Sequence, residues 1–128
     1  MAEFYFSAFA DEAANDLDGQ IAALRNADIH FIEPRSIDGR GILEFSEEEL
    51  KEIRAKLDGA KIRVGSLGSP IGKYGIDEDF ESYKTVFEKA LVTCKILGTD
   101  RMRMFSFFVE QKDLAKKREE VLRRLAYM

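Results

Sequence analysis

Residues 29–67, IHFIEPRSIDGRGILEFSEEELKEIRAKLDGAKIRVGSL, decide how the chain is read. The stretch opens on Ile29-His30-Phe31-Ile32-Glu33, an apolar run rich in β-branched and aromatic residues and stopped by Pro34, which reads as a short buried strand. A helix start follows. Ser46 and Glu49 form a capping box, in which the hydroxyl accepts the Glu49 amide and the carboxylate reaches back to the Ser46 amide. Leu50, Ile53 and Leu57 make the buried stripe of that helix, and Asp58-Gly59 is expected to end it. Lys61-Ile62-Arg63-Val64-Gly65-Ser66-Leu67 is a second apolar run of strand type. Strand, helix and strand in this order form a crossover unit, whose strands run parallel.

The alternation continues on both sides. Phe4-Tyr5-Phe6-Ser7-Ala8-Phe9 predicts the first strand and Met102-Arg103-Met104-Phe105-Ser106-Phe107-Phe108 the fourth. Leu17, Ile21 and Leu24, capped by Asn15 or Asp16, predict one helix. Phe80, Tyr83, Phe87, Leu91, Cys94 and Leu97, stopped by Gly98, predict the longest. Leu114, Val121, Leu122 and Leu125 predict a last helix, unfinished at Met128. The order βαβαβαβα gives an α/β fold of four βα units in a single domain, residues 1–128. Two architectures suit it: a small open sheet of flavodoxin type, or half of an eight-unit barrel, since a whole barrel takes about 250 residues. Pattern alone favours the open sheet, which is a self-sufficient fold.

Composition narrows the function. With 45% apolar and 34% charged residues the chain has the material for a core. A net charge of −4 leaves no basic surplus for a phosphate backbone, so no nucleic acid is expected as a partner. No apolar run approaches the ~20 residues of a membrane span, and no signal peptide opens the chain, so no membrane partner is expected. A lone Cys94 excludes an internal disulfide and fits a cytoplasmic location. It reads as a small core residue.

Each expected strand carries a polar residue near its C-terminal end: Ser7, Glu33, Ser66 and Ser106. Ligands of parallel α/β folds gather there. Glu33 and Arg35 lie two residues apart and share one side of an extended chain. A carboxylate in that place serves as a base, a metal ligand or an acceptor for a sugar hydroxyl, or else as a salt-bridged structural residue. Arg103 sits in an apolar strand where an unpaired charge is costly, and is expected to meet Glu33 across a barrel interior. Ser66-Leu67-Gly68-Ser69-Pro70-Ile71-Gly72-Lys73 has the glycines and lysine of a phosphate cradle but fails the P-loop pattern, with Leu67 where glycine is needed and Tyr74 after the lysine. A small phosphorylated or polyhydroxy ligand is one reading of it, an ordinary turn the other. Asp11-Glu12 are candidates to bind a metal or a hydroxyl but read more simply as acids complementing a helix N-terminus, and His30, at a strand start, reads as structural. Lys112, Lys116, Lys117, Arg118, Arg123 and Arg124 are expected on a solvated helix face.

Four segments, Phe6-Ser7-Ala8-Phe9-Ala10-Asp11-Glu12, Phe31-Ile32-Glu33-Pro34-Arg35, Ser66-Leu67-Gly68-Ser69-Pro70-Ile71-Gly72-Lys73 and Arg103-Met104-Phe105-Ser106-Phe107-Phe108, together resemble the sugar phosphate isomerase/epimerase family, the xylose-isomerase-like TIM barrels that also include endonuclease IV. The resemblance runs over nearly the whole chain and implies the N-terminal half of a TIM (β/α)8 barrel, truncated within the fourth helix. It implies metal-assisted proton transfer on a small sugar or sugar phosphate. Glu33 would be the catalytic carboxylate, with Arg35, Ser66, Ser69, Lys73, Arg103 and Ser106 binding substrate. The intact family holds a divalent metal (Mn, Mg or Zn) on two glutamates, an aspartate and a histidine of strands five to eight. Those strands lie beyond this sequence, so the chain alone is expected to bind none, and the chemistry is expected to be incomplete. The alternative is a non-catalytic half-barrel module that oligomerises or pairs with a complementary subunit. Half a barrel leaves its first and fourth strands as open edges, and a homo-oligomer is therefore expected.

Overall fold

The computed structural model describes residues 1–128. Three parallel strands, β1 (Ser7–Ala8), β2 (Phe31–Ile32) and β5 (Arg63–Val64), lie side by side in the order β1-β2-β5, with Ser7, Phe31 and Arg63 level and Ala8, Ile32 and Val64 level. Four helices connect or follow them: α1 (Leu17–Asn26), α2 (Glu47–Gly59), α3 (Phe80–Leu97) and α4 (Leu114–Tyr127). The protein is thus a mixed α/β fold built on a parallel sheet. No helix is long and apolar enough to cross a membrane.

The regular strands are far shorter than the apolar runs that announce them. The fourth run forms no regular strand. Residues 101–108 instead run parallel beside 67–76, through bridges Leu67–Met102 and Gly75–Phe108 and hydrogen bonds from Arg103 N to Leu67 O, Phe105 N to Ile71 O and Phe107 N to Gly72 O. The loop between Leu67 and Gly75 bends away and returns, so the pairing has no constant register. Between β2 and α2 the chain also makes a hairpin, β3 (Ser36–Ile37) with β4 (Arg40–Gly41). Asp38 and Gly39 at its tip have φ of 53° and 73°, the pair of left-handed residues that a two-residue hairpin turn requires.

Helix ends follow local chemistry. Asp16 caps α1 by accepting from Gly19 N, and the Ser46–Glu49 capping box forms in both directions at α2. Helix α2 runs through Gly59, and Lys61 (φ 60°), not the glycine, takes the left-handed position beyond it. Gly98 (φ 76°) stops α3 as expected.

The main core lies between the sheet and the helices, around Ile32, Val64, Leu67, Leu50, Leu57, Ala90 and Leu97. Leu91 is exposed rather than buried, because over so long a helix the buried face drifts onto Ala90 and Thr93. On α4, Leu114 and Leu122 also face solvent, while Val121 and Leu125 pack on a second cluster of Tyr74, Ile76, Phe80 and Phe107. Arg124, expected on the solvated face, is buried there instead. It donates to Glu120 Oε1 at 2.7 Å and to Glu78 O at 3.1 Å, and its guanidinium stacks on Phe80 and Phe107.

Candidate ligand site

Alternation along the strands sends Ile32 and Val64 into the helix layer and Phe31, Glu33, Arg63 and Gly65 to the opposite, inner face. Met102 is level with buried Leu67, so Arg101, Arg103 and Phe105 also fall on the inner face. Past the C-terminal ends of β1 and β2, cations and aromatic rings interleave there. Phe9 carries the Arg35 guanidinium 4.8 Å from its ring centroid and that of Arg103 at 5.1 Å. Phe105 carries Arg103 at 4.9 Å and the Lys73 ammonium at 5.8 Å. Gly68 completes the packing: a Cβ there would meet Pro34 O at 3.0 Å and Arg35 Cβ at 3.2 Å, so only glycine lets the loop come this close without a shift.

The three cations differ in what neutralises them. Arg35 forms a bidentate pair with Asp11, Nε to Oδ2 at 2.8 Å and Nη2 to Oδ1 at 3.0 Å, and reaches Glu12 at 3.1 Å. Burial would raise the Asp11 pKa, but hydrogen bonds from Arg35 and from Ser36 Oγ outweigh it and hold the carboxyl below its ordinary value. The same pair raises the Arg35 pKa. Arg103, by contrast, has no carboxylate partner. Its Nη2 donates to Gly68 O at 3.3 Å and Ser69 O at 3.1 Å, and its Nε is buried with no acceptor. Lys73 is exposed and unpaired. The mouth therefore keeps two cations that no protein carboxylate neutralises.

Of the residues expected to bind substrate, the structure groups Arg35, Arg103 and Lys73. Glu33 is half-buried with a free carboxylate, and it does not pair with Arg103. The guanidinium is satisfied instead by the 68–69 carbonyls and the two rings. Glu33 and Ser66 line the largest cleft, about 800 Å³, which runs down the inner face past Tyr5, Phe31 and Arg63 to Arg101. That cleft and the cation cluster are neighbours on one face rather than one cavity. Ser69 is fully buried, its hydroxyl donating to Arg103 O at 2.6 Å and accepting from Ile71 N, so it holds the loop to the 101–108 segment. Ser106 is exposed on the α4 side, beside Leu114 and Arg118. His30 is exposed at the start of β2, next to Asp28.

The glycine–lysine loop is not a cradle of free amides. Gly68 N donates to Pro34 O, Ser69 N to Leu67 O, Ile71 N to Ser69 Oγ and Lys73 N to Pro70 O. Nor do three His, Cys, Asp or Glu side chains converge anywhere. Besides Glu33, the acids near the mouth are Asp11 and Glu12, both held by Arg35. This donor set does not build a divalent-metal site. Sequence reading gives Phe9 and Phe105 no role beyond strand and core, and Asp11, read as complementing a helix N-terminus, instead holds Arg35. The spacing of Arg103 and Phe105, both odd positions of one strand, already put them on one face.

No family model, curated protein or solved structure matches this chain.

Proposed function

We infer that this chain is a sugar phosphate isomerase/epimerase-like protein, the N-terminal half of a (β/α)8 barrel, which binds a small sugar phosphate at the C-terminal end of its strands. One observation carries the reading: at that end Arg103 is held by two carbonyls and two aromatic rings yet neutralised by nothing, on the same face as the free carboxylate of Glu33. An anchored, uncompensated guanidinium is suited to a ligand that brings its own negative charge. In this reading Glu33 takes the proton from the hydroxyl-bearing carbon next to the substrate carbonyl and returns it to the former carbonyl carbon, while the hydroxyl proton passes to the former carbonyl oxygen. Arg103 and Lys73 oppose the charge of the phosphate and of the enediolate between the two steps.

The test is deuterium wash-in from D2O at the α-carbon of pentose and hexose phosphates, followed by NMR. Glu33→Gln is expected to slow exchange by about 10²–10⁴-fold, the usual worth of a general base. Arg103→Gln is expected to raise KM for phosphorylated sugars and leave binding of neutral ones unchanged. Exchange that proceeds equally in Glu33→Gln removes Glu33 from the chemistry. A second reading, a non-catalytic module that assembles with another subunit, is favoured by the uncovered aromatic side chains at residues 4–6.

A further inference from the structure

A folded monomer of this chain's 14.6 kDa is expected to expose about 6,900 Å². This chain exposes 8232 Å², an excess of about 1,300 Å². That exceeds the ~800 Å² each partner buries in a standard protein–protein interface. Two features at opposite edges of the sheet show where it lies. At the β1 edge, Phe4 and Phe6 are 88% and 80% exposed; sharing the parity of Ala8, they project toward the helix-layer side of the sheet with nothing over them. At the other edge, on that same side, an apolar groove of about 530 Å³ opens between α3 and the 101–108 segment, lined by Phe87, Leu91, Cys94, Met102, Met104 and Met128.

The backbone at both edges is unpaired as well. Arg103, Phe105 and Phe107 direct their amides to the 67–72 loop, whereas Met102, Met104 and Ser106 make no backbone hydrogen bond. At β1, Ala8 O accepts from Glu33 N, so its neighbour Ser7 turns its own N–H and C=O away from β2. Each edge of an otherwise parallel sheet thus offers a row of donors and acceptors and is an invitation to another strand.

We propose that a second copy of this chain covers both edges at once. A twofold axis along the strand direction keeps all strands parallel. It sets β1 of each copy against the 101–108 segment of its partner and seats Phe4 and Phe6 in the partner's methionine-lined groove. The twofold axis makes the contact twice and so closes the pair; without that rotation a knob and groove on opposite edges would propagate as a filament. Three strands and the 101–108 segment from each copy then complete an eight-membered ring, and the two inner faces enclose one shared cavity with a Glu33 from each side. The proposal is independent of the ligand reading, since mass, not turnover, decides it.

The experiment is light scattering on a sizing column over a wide concentration range, with three variants. The chain as it stands is expected at about 29 kDa, twice 14.6 kDa. Phe6→Asp charges a side chain that touches no core, and Ser106→Pro removes an edge N–H that the monomer does not use. Both are expected to run as 14.6 kDa monomers with unchanged far-UV circular dichroism. Val92→Asp, on the exposed flank of α3 that faces α2, is expected to leave the dimer intact. A concentration-independent monomer overturns the proposal. So does a dimer that survives Phe6→Asp, or a mass that grows without limit. Should Ser106→Pro fail to fold, Phe6→Asp decides alone.

Discussion

Replacing Gly72 by alanine separates the two uses of the glycine–lysine loop, and the structure fixes how much the change costs. Gly72 has φ of 78°, where an L-residue is strained by about 1–2 kcal/mol. A Cβ built there would lie 1.9 Å from Phe105 O and 2.7 Å from its carbonyl carbon, backbone atoms that cannot swing aside. To admit it, the loop must lift off the 101–108 segment, straining the bonds Phe105 N to Ile71 O (2.8 Å) and Phe107 N to Gly72 O (3.0 Å). Each such bond, if left unmade, costs about 1–3 kcal/mol. The expected loss is about 3–8 kcal/mol, a large share of the ~5–15 kcal/mol that holds a typical domain together. Gly39 supplies the control. Its φ is 73°, but nothing lies within 4 Å of its Cβ position, so Gly39→Ala carries the strain without the clash, about 1–2 kcal/mol. Urea denaturation of both variants, followed by far-UV circular dichroism, measures the difference. If Gly72→Ala costs no more than Gly39→Ala, the loop is not seated on the 101–108 segment, and the Ile71 and Gly72 carbonyls do not hold that segment in place.

Two further outcomes follow from the mouth of the sheet. Ser69→Ala is expected to cost about 1–3 kcal/mol in the same denaturation assay, because it orphans the buried Arg103 carbonyl and Ile71 amide; a variant as stable as the parent chain would show that water replaces the hydroxyl. Asp11 contributes to the acid limb beside Glu49 and Glu120, whose carboxyls hydrogen bonds from Arg40 and from Arg123 lower to about 2. Its carboxyl is held below the ordinary 3.8, so its contribution is present above that value and drains away as pH falls through the lower, folded one. Stability plotted against pH is expected to drop below about pH 4, and less steeply in Asp11→Asn; an unchanged slope in that variant would remove Asp11 from the acid limb.

What was legible in the sequence is what depends on short-range chemistry. The capping box at Ser46–Glu49, the Asp16 cap and the Gly98 stop are set by neighbours three or four residues away, and all form as read. The α/β class and the parallel order come from the alternation of periods, which is equally local. The hairpin at Ile37-Asp38-Gly39-Arg40 was legible too, since Asp-Gly between strand-like residues signals a two-residue turn, and it was passed over. Longer-range facts were hidden. Arg124 shares the charge pattern of its exposed neighbours, and only the approach of Phe80 and Phe107 from other elements buries it. Arg35 next to Glu33 suggested a ligand contact, but Asp11, on the turn after β1, captures it. Arg103 was expected to need an acid, and found two rings and two carbonyls. Phe105 apart, two residues from Arg103 on the same face, the partners are separated in sequence by more than any pattern spans.

The inner face joins these observations into one physical problem. Parallel sheets are stable when both faces are covered, and this one is covered on only one: the main cluster of buried apolar residues lies on the helix side. The other face presents Ser7, Phe31, Arg63, Gly65 and Arg101, a set too small and too charged to form a core of its own. Bulky aliphatic residues there would make the sheet self-sufficient and fill the cavity. Charged and small residues leave the face as the floor of a cleft, whose electrostatic pull on a ligand stays weak while water fills it. Covering that floor with an identical one would expel water from around Glu33 and Arg103 and strengthen the interactions on which the proposed proton transfer depends. Assembly and ligand binding then stand in a fixed order: if the dimer proposal holds, Phe6→Asp loses sugar phosphate affinity although it leaves Glu33, Arg103 and Lys73 untouched.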